Sequence, residues 1–377
     1  MEAATALVID PGHAGWVKRH WGSLYLEREN VFYRSLVIWA LTSHARLTGS
    51  AEHLALLREQ AEGLAGELEA SPHGLLDDYP GQCFPADVMT AVFAIREADR
   101  VLGTDHSAFV ERERRAFQGK ALDDRALIPY CASASKGIAA HDARGSTSGS
   151  ASIYAPALYP ELARGWYEGN RQHLWQQRWG AVAFREFYRE TPDREWYWDV
   201  DAGPVLGGHG FAASAFGLAA ARANGRLDDA YPLTLELIAV SWPLPDGSLA
   251  VPRLISDATD APLAGEAGIL FMLTRPEPRV VKVAEGGVPP FVWAALACYL
   301  VPGTLGVAWA VWRARRALRR LRERRLPAGW VQVALMAGAL LAVVPLAWWS
   351  VPGAVGVWVL GGAGPVTWKE APRRTPG

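Results

Sequence analysis

The sequence predicts an all-α fold: an α/α toroid, a six-hairpin-like barrel that need not be complete, followed by C-terminal transmembrane helices. Two observations predict it. In residues 1–285, a helix, a short turn, a second helix and a longer loop recur with a period of roughly 50 residues. From Val288 to Trp312 the chain has 25 residues without a charge, enough to span a bilayer. We therefore expect a helical-toroid domain at 1–285 and a membrane region at 286–377.

The predicted helices have recognisable starts and stops. Asn30 to Leu47 is apolar at helical spacing, and Gly49 follows its end. Ser50 can cap the next helix, which Ser71-Pro72 ends near Ala70. The chain has about eight predicted helices in all, whereas a complete six-hairpin barrel has twelve. This shortfall favours a missing N-terminal portion. The other helices are predicted at about 85–102, 105–119, 160–175, 211–224, 229–241 and 261–274, with a long loop at 120–155.

The membrane region is predicted to hold two or three spans. Eight arginines in Arg313 to Arg325 separate Val288–Trp312 from the uncharged stretch Ala328–Thr367, which has a second span near Trp330–Trp349. Arginine-rich loops stay on the cytoplasmic side, so the soluble domain is expected outside a bacterial-type inner membrane. The same arginines could also bind anionic lipid headgroups. Residues 1–20 contain no signal peptide, so either the N-terminus is incomplete or the orientation rule fails; we favour the first.

Charge and cysteine content exclude several classes. The net charge is −1, but residues 288–377 hold eleven Lys/Arg and two Glu, which leaves 27 basic and 37 acidic residues before them. This acidic part argues against nucleic acid as a partner. Three cysteines form no disulfide framework, and no metal-ligand spacing is present. We predict no cofactor and no metal.

The run YPGQCFPAD, Tyr79 to Asp87, is the first candidate site. Pro80-Gly81 predicts a turn, and Pro85 suits the first position of the following helix. Cys83 and Asp87 would then lie at a helix N-terminus, which favours a thiolate or a carboxylate. Alternatively, Asp87 only complements the helix dipole and Cys83 only packs.

The run Trp196 to Gly210 is the second candidate site. Asp199 and Asp201 alternate with Val200, so in an extended segment both point the same way. Such a pair can hold a metal, bind a polyol or share a proton. Alternatively, the two carboxylates accept hydrogen bonds from the glycine-rich loop around His209.

The run Leu24 to Arg34 is the third candidate site. Glu27, Asn30 and Arg34 share one helical face. Glu29 and Tyr33 are one turn apart and could form an acid–base pair. The alternative is a surface glutamate beside Arg34.

Two further segments bear on a binding cavity. Tyr130 to Tyr154 contains Cys131 and His141 but no nucleophile elbow, so we expect a flexible loop over the cavity rather than a serine nucleophile. Five of the 17 tryptophans fall in Trp166 to Trp198. Some of these rings should line a pocket for sugar rings or an apolar ligand.

Three motifs together resemble the linalool dehydratase/isomerase-like domain family over about residues 20–275. They are Glu-x-x-Asn-x-x-Tyr-Arg at Glu27–Arg34, the stretch Ser71–Cys83, and Asp-Val-Asp-x-Gly-Pro at Asp199–Pro204, which continues to Gly217. The resemblance implies a toroid with a central cavity. It also implies cofactor-free, reversible dehydration and isomerisation of a tertiary terpene alcohol by a carboxylate with a nearby tyrosine, a histidine and two cysteines.

The resemblance gives only some of these roles to residues of this chain. Glu27 or Glu29 with Tyr33 takes the carboxylate–tyrosine role, and Cys83 is one thiol. The histidine and the second thiol are unassigned, although Cys131 is the one other cysteine before the membrane region.

Three functions follow as hypotheses. The first is a membrane-anchored lyase or isomerase acting by acid–base chemistry on a hydrophobic alcohol or a lipid-linked substrate. The second is a hydrolase or epimerase on envelope glycans, with Asp87 and either Asp199 or Asp201 as the carboxylate pair. The third is a non-catalytic, membrane-tethered binding module. For the first, the proton-transfer residues are Glu29, Tyr33, Cys83 and Asp87, and the substrate-binding residues are Glu27, Tyr79, Asp199, Asp201 and His209.

Overall fold

The computed structural model of the protein describes residues 2–12, 14–27, 30–199, 202–243, 249–250, 264–276 and 287–322. The protein is 60% helical, with twelve α-helices and several small antiparallel sheets among these residues. It divides into two compact units, residues 1–234 with 267–287 and residues 235–266 with 288–377.

In chain order, the described residues form twelve helices. They are α1 (Glu2–Ile9), α2 (Gly15–Trp21), α3 (Val31–Thr48), α4 (Leu54–Ala70), α5 (Pro85–Leu102), α6 (Val110–Ala116), α7 (Gly145–Leu158), α8 (Pro160–Leu174), α9 (Phe211–Ala223), α10 (Leu227–Val240), α11 (Ala264–Leu273) and α12 (Pro290–Arg322).

The strands are short and pair antiparallel in four groups: β1 with β2, β3 with β4, β5 with β6 and β7, and β8 with β9. They are β1 (Ala132–Ser133), β2 (Ile138–Ala139), β3 (Trp175–Arg178), β4 (Ala181–Phe184), β5 (Trp196–Asp199), β6 (Gly203–Leu206), β7 (His209–Gly210), β8 (Trp242–Pro243) and β9 (Leu249–Ala250).

A row of four helices organises the first unit. Helix α3 packs against α5, α5 against α7, and α7 against α9, while α4 packs against α3 and α5, and α8 packs against α7. Fully buried side chains such as Ile38, Leu64 and Val92 join these helices. Each such side chain contributes about 1.5–3 kcal/mol through the area that it removes from water.

Most of the predicted helices are confirmed, because their ends carry local stop and start residues. Helix α5 has Pro85 in its first turn and ends at Gly103, whose φ of 67° only glycine adopts easily. Helix α3 ends at Gly49 in the same way, with a φ of 67°. The predicted helix at 105–119 is shorter than expected and covers only α6.

The predicted all-α toroid with transmembrane helices is wrong. The segment after α8 forms β-hairpins instead of purely helical structure. Its Trp179-Gly180 turn has φ angles of 55° and 74°, the positive values that a two-residue hairpin turn requires. In the membrane region, one helix, α12, continues from the apolar segment through Arg322, because arginine, leucine and alanine all favour helix.

None of the helices in the described ranges has the length and apolar character needed to cross a bilayer. The second predicted span, near Trp330–Trp349, lies outside the described residues.

The loop predicted at 120–155 is helical in its last part, where α7 begins at Gly145. A Cβ on Gly145 would collide with the backbone carbonyl oxygen of Arg185, so only glycine allows this approach. The run Gly-Ser-Thr-Ser-Gly-Ser therefore serves close helix packing, not loop flexibility.

Candidate functional site

The starts of α3 and α5 are joined by Asp78. Its backbone oxygen accepts a hydrogen bond from the Asn30 N–H at 2.9 Å, and its Oδ1 accepts one from the Phe32 N–H at 2.9 Å. A tight turn then returns the chain from Tyr79 to Gln82, just before α5. Burial raises the pKa of Asp78, while the backbone N–H of Phe32 opposes that shift.

The starts of α7 and α9 meet at Glu186. Its carboxylate accepts hydrogen bonds from the Ser146 hydroxyl at 2.7 Å and from the Ser146 N–H at 3.2 Å. Its backbone oxygen accepts the Gly145 N–H at 3.0 Å. Gly210, directly before α9, packs so closely that a Cβ there would lie 3.0 Å from the Glu186 nitrogen. Burial raises the pKa of Glu186 to about 7.

The starts of α5 and α7 are connected through Tyr130. The guanidinium of Arg144, the residue before α7, lies 3.7 Å from the centre of the Tyr130 ring. That ring lies 5.3 Å from the ring of Phe84, the residue before α5. The N-termini of α3, α5, α7 and α9 thus lie at one end of the row. We call this end the N-terminal face; the positive ends of four helix dipoles meet there.

The structure places Cys131 next to Cys83 on this face. The Ala132 N–H donates a hydrogen bond to the Cys83 backbone oxygen at 2.9 Å, which pairs the two segments antiparallel. Both cysteines are free and buried. Burial, and then the charge of Asp77, raise the pKa of the Cys83 thiol. Burial also raises the pKa of Cys131, so both are neutral thiols near pH 7.

Asp87 lies half-buried in the first turn of α5, within electrostatic range of the Cys83 thiol. Burial raises the pKa of Tyr154 on α7 to about 12, and the Asp87 charge adds to that shift. The Asp87 charge also raises the pKa of Cys83. Asp87 therefore lies within electrostatic range of both the Cys83 thiol and the Tyr154 phenol.

Tyr79 lies at the rim of the N-terminal face. Its ring is 38% exposed and lies 4.9 Å from the Trp21 ring and 6.5 Å from the Phe84 ring. A ligand that reaches the thiols from solvent on this side would pass the phenol.

An open cleft of about 270 Å³ has Asp77 in its lining. Its lining alternates polar and apolar side chains from the end of α4 and the segment after β1, including Ser71, Leu75 and Ala134. Asp77 links it electrostatically to both cysteines.

Asp199 reaches the N-terminal face through Arg144. Its Oδ2 accepts a hydrogen bond from Arg144 Nη1 at 3.0 Å, and its Oδ1 accepts the Ala202 N–H at 2.9 Å. The second contact comes from the turn directly after Asp199 and not from the glycine-rich loop around His209. The segment is extended, as predicted. Asp201 lies outside the described residues, so the predicted pair stays a prediction.

His209 lies on the other side of the small sheet from Asp199. It pairs with Leu206, which pairs with Trp196, and cross-strand partners share a face. Asp199, three residues beyond Trp196, points the opposite way. The His209 ring lies 5.8 Å from the Trp179 ring, and burial lowers its pKa. The structure does not bring His209 together with Asp199.

The third predicted cluster lies mainly against α1 and the turn before α3. The Tyr33 hydroxyl donates a hydrogen bond to the Val8 oxygen at 3.4 Å, and its ring lies 6.0 Å from Tyr25. Glu27 is exposed in that turn. Arg34 is buried and pairs with Glu67 at 2.8 Å. Glu29 lies outside the described residues, so its pairing with Tyr33 stays a prediction.

Sequence reasoning missed Arg144, Glu186 and Tyr130 as parts of this face. No local pattern marks Glu186, which lies among other charged residues in FREFYRE. Arg144 could have been found from its position directly before a glycine- and serine-rich run. The position of Cys131 follows from its pairing with a segment about 50 residues away, which no local spacing shows.

Comparisons with known proteins give no family for this chain: no protein-family model matches it, and no curated protein matches it.

We expect the three cysteines to differ strongly in reactivity towards iodoacetamide. Cys298 is exposed and should be alkylated first; Cys131, 8% exposed with a raised pKa, should react at least about tenfold more slowly. Cys83 is 0% exposed and should react only after unfolding in urea. Peptide mass spectrometry after timed labelling measures each rate. Equal labelling of Cys83 and Cys298 in the native protein would contradict the site geometry.

Proposed function

We propose that the N-terminal face is an active site for cofactor-independent acid–base chemistry, the dehydration or isomerisation of a hydrophobic allylic alcohol. The observation that carries the proposal is that two buried, neutral thiols, Cys83 and Cys131, lie side by side although they are 48 residues apart in sequence, and that the half-buried Asp87 carboxylate acts on Cys83. The resemblance to the linalool dehydratase/isomerase-like family points to the same chemistry.

The roles follow from exposure and charge. Cys131, the more accessible thiol, donates a proton to the substrate hydroxyl as the C–O bond breaks and water leaves. Asp87 takes the proton from the neighbouring carbon, and an alkene forms. A proton passing from Asp87 to the Cys131 thiolate restores both groups. In the isomerisation, water adds to the other end of the allylic cation and gives its extra proton to the Cys131 thiolate, which yields the isomeric alcohol and the neutral thiol.

The remaining groups support this reaction. Four helix N-termini stabilise the Asp87 carboxylate and a developing thiolate. Cys83, fully buried behind Cys131, keeps the site free of charge and water. The glycan hypothesis needs Asp199 or Asp201 as the second catalytic carboxylate. Both oxygens of Asp199 already accept hydrogen bonds, from Arg144 and Ala202, and Asp201 lies outside the described residues. We therefore favour the lyase or isomerase.

We test this proposal with linalool and a panel of primary and tertiary allylic alcohols, following alkene and isomer by gas chromatography. Asp87→Asn and Cys131→Ser are each expected to lower kcat by about 10²–10⁴-fold, because each removes one proton-transfer group. Cys298→Ser, an exposed thiol on α12, is the matched control and should keep full activity.

Circular dichroism confirms that each variant is folded. Full turnover by both Asp87→Asn and Cys131→Ser would refute the assigned roles. Absence of conversion of every alcohol in the panel by the unaltered protein would refute this reaction on neutral allylic alcohols.

A further inference from the structure

Four aromatic rings surround the guanidinium of Arg275 in the first unit. The distances from its Cζ to the ring centres are 4.8 Å for Phe271, 5.8 Å for Tyr154, and 5.9 Å for both Trp39 and Phe93. These rings come from α11, α7, α3 and α5. We call this group the Arg275 cluster. Apart from Tyr154, its rings are only partly buried, so a ligand can touch them.

The Arg275 charge has no counterion in the described part of the chain. No carboxylate there lies within 4.0 Å of it, and its Nε is buried without a hydrogen-bond partner. The carboxylate that acts on it electrostatically is Glu97. Glu97 is already paired with Arg46 at 2.6 Å and with Arg100. Burial consequently lowers the pKa of Arg275.

Other buried arginines of this unit are paired. Arg34 is 1% exposed and pairs with Glu67 at 2.8 Å. Arg185 is 2% exposed, donates to Gln176 at 2.7 Å and lies 3.5 Å from Glu195. Burial of an arginine side chain without such a partner costs desolvation free energy. Contacts with aromatic rings offset only a part of this cost. Within the described residues, the Arg275 guanidinium therefore has aromatic neighbours but no anion to balance its charge.

We propose that Arg275 binds the anionic end of an amphiphilic ligand, a phosphate or carboxylate carried on an aliphatic chain, while Trp39, Phe93 and Phe271 bind the chain itself. A guanidinium matches the oxygen pairs of both anions. This names the substrate class of the proposed active site and so rests on the proposed function.

The cluster continues from the N-terminal face along α5. Thr90 hydrogen-bonds to Tyr154, and Asp87 acts on the same phenol. Six residues separate Asp87 from Phe93, which is about 9 Å along a helix axis. The axial separation of Asp87 and the Phe93 ring of the Arg275 cluster is thus within the length of one short amphiphile.

Isothermal titration calorimetry with octyl phosphate, 1-octanol and inorganic phosphate tests the proposal on the full chain. Octyl phosphate should bind at least about tenfold more tightly than either of the other two, since only it fills both parts. Arg275→Gln should weaken octyl phosphate binding at least about tenfold and leave 1-octanol unchanged. Arg58→Gln, an exposed arginine on α4, should leave all three affinities unchanged.

Equal affinity of Arg275→Gln and the unaltered protein for octyl phosphate would overturn the proposal. Inorganic phosphate that binds as tightly as octyl phosphate would overturn the role of the rings. Arg275→Lys keeps the positive charge but loses the paired N–H donors of the guanidinium, so it should bind octyl phosphate with intermediate affinity. This variant replaces Arg275→Gln in the test if the glutamine variant does not fold.

Asp87→Asn separates this proposal from the proposed function. It should keep octyl phosphate binding and lose turnover. If it keeps both, the assigned chemistry fails while the anion site stands.

Discussion

Replacing Asp123 with alanine is expected to lower the free energy of unfolding by about 4 kcal/mol, because four donors lose their acceptor at once. Asp123 Oδ1 accepts the N–H groups of Arg125 and Leu127, both at 2.9 Å. Its Oδ2 accepts the Ala143 N–H at 2.9 Å and the Tyr188 hydroxyl at 2.5 Å. The Asp123 carboxylate, which is only 9% exposed, thus fixes both ends of the segment that places Cys131 and Arg144 on the N-terminal face.

Urea denaturation followed by circular dichroism measures this effect. Asp124→Ala, an exposed neighbour, is the matched control and should change stability by less than about 0.5 kcal/mol. Iodoacetamide should also reach Cys131 faster in Asp123→Ala, since the segment around it loses both anchors. A loss below about 1 kcal/mol with unchanged labelling would show that Asp123 does not organise this segment.

The parts of the fold that the sequence predicts are those with local causes. Helix α5 begins at Pro85 and ends before Gly103, as predicted, since both residues act on their own backbone. Helix α7 was missed because its first residues are small and polar, and its start is fixed by Glu186, 40 residues away. Local propensity cannot show such a contact.

The candidate site likewise contains residues that local sequence predicts and residues that only distant contacts bring together. The Tyr79–Gln82 turn and the extended Asp199 segment are predicted, because turn residues and alternation are local. Their neighbours Cys131 and Arg144 depend on pairing between distant segments. His209 is close to Asp199 in sequence, yet strand alternation puts it on the opposite face of the sheet. Proximity in sequence therefore gave a wrong expectation for His209, which does not lie beside Asp199.

Glu113 is expected to make the protein less stable as the pH rises, and Glu113→Gln should remove much of that loss. Its side chain is fully buried on α6; burial raises its pKa to about 8, and the hydrogen bond donated by the Tyr159 hydroxyl opposes the shift. An unfolded glutamate has a pKa near 4.5. Between these two values the unfolded chain releases a proton that the folded chain keeps, so stability falls by about 1.4 kcal/mol per pH unit.

The contribution of Glu113 is therefore fully present below pH 4.5 and is lost as the pH rises through 8. Urea denaturation at pH 5 and pH 9 measures it. Glu113→Gln should match the unaltered protein to within about 1 kcal/mol at pH 5 and exceed it by on the order of 4 kcal/mol at pH 9. Glu59→Gln, an exposed glutamate on α4, should show no such difference.

Glu186 provides a second, weaker titration of the same sign, because burial raises its pKa to about 7. Glu113→Gln should therefore keep a residual decline in stability that levels off above pH 7. The unaltered protein should go on losing stability up to about pH 8. Parallel stability curves for the two proteins from pH 5 to pH 9 would mean that Glu113 is ionised in the folded chain. In that case the buried Tyr159 hydroxyl would be holding a carboxylate rather than a carboxylic acid.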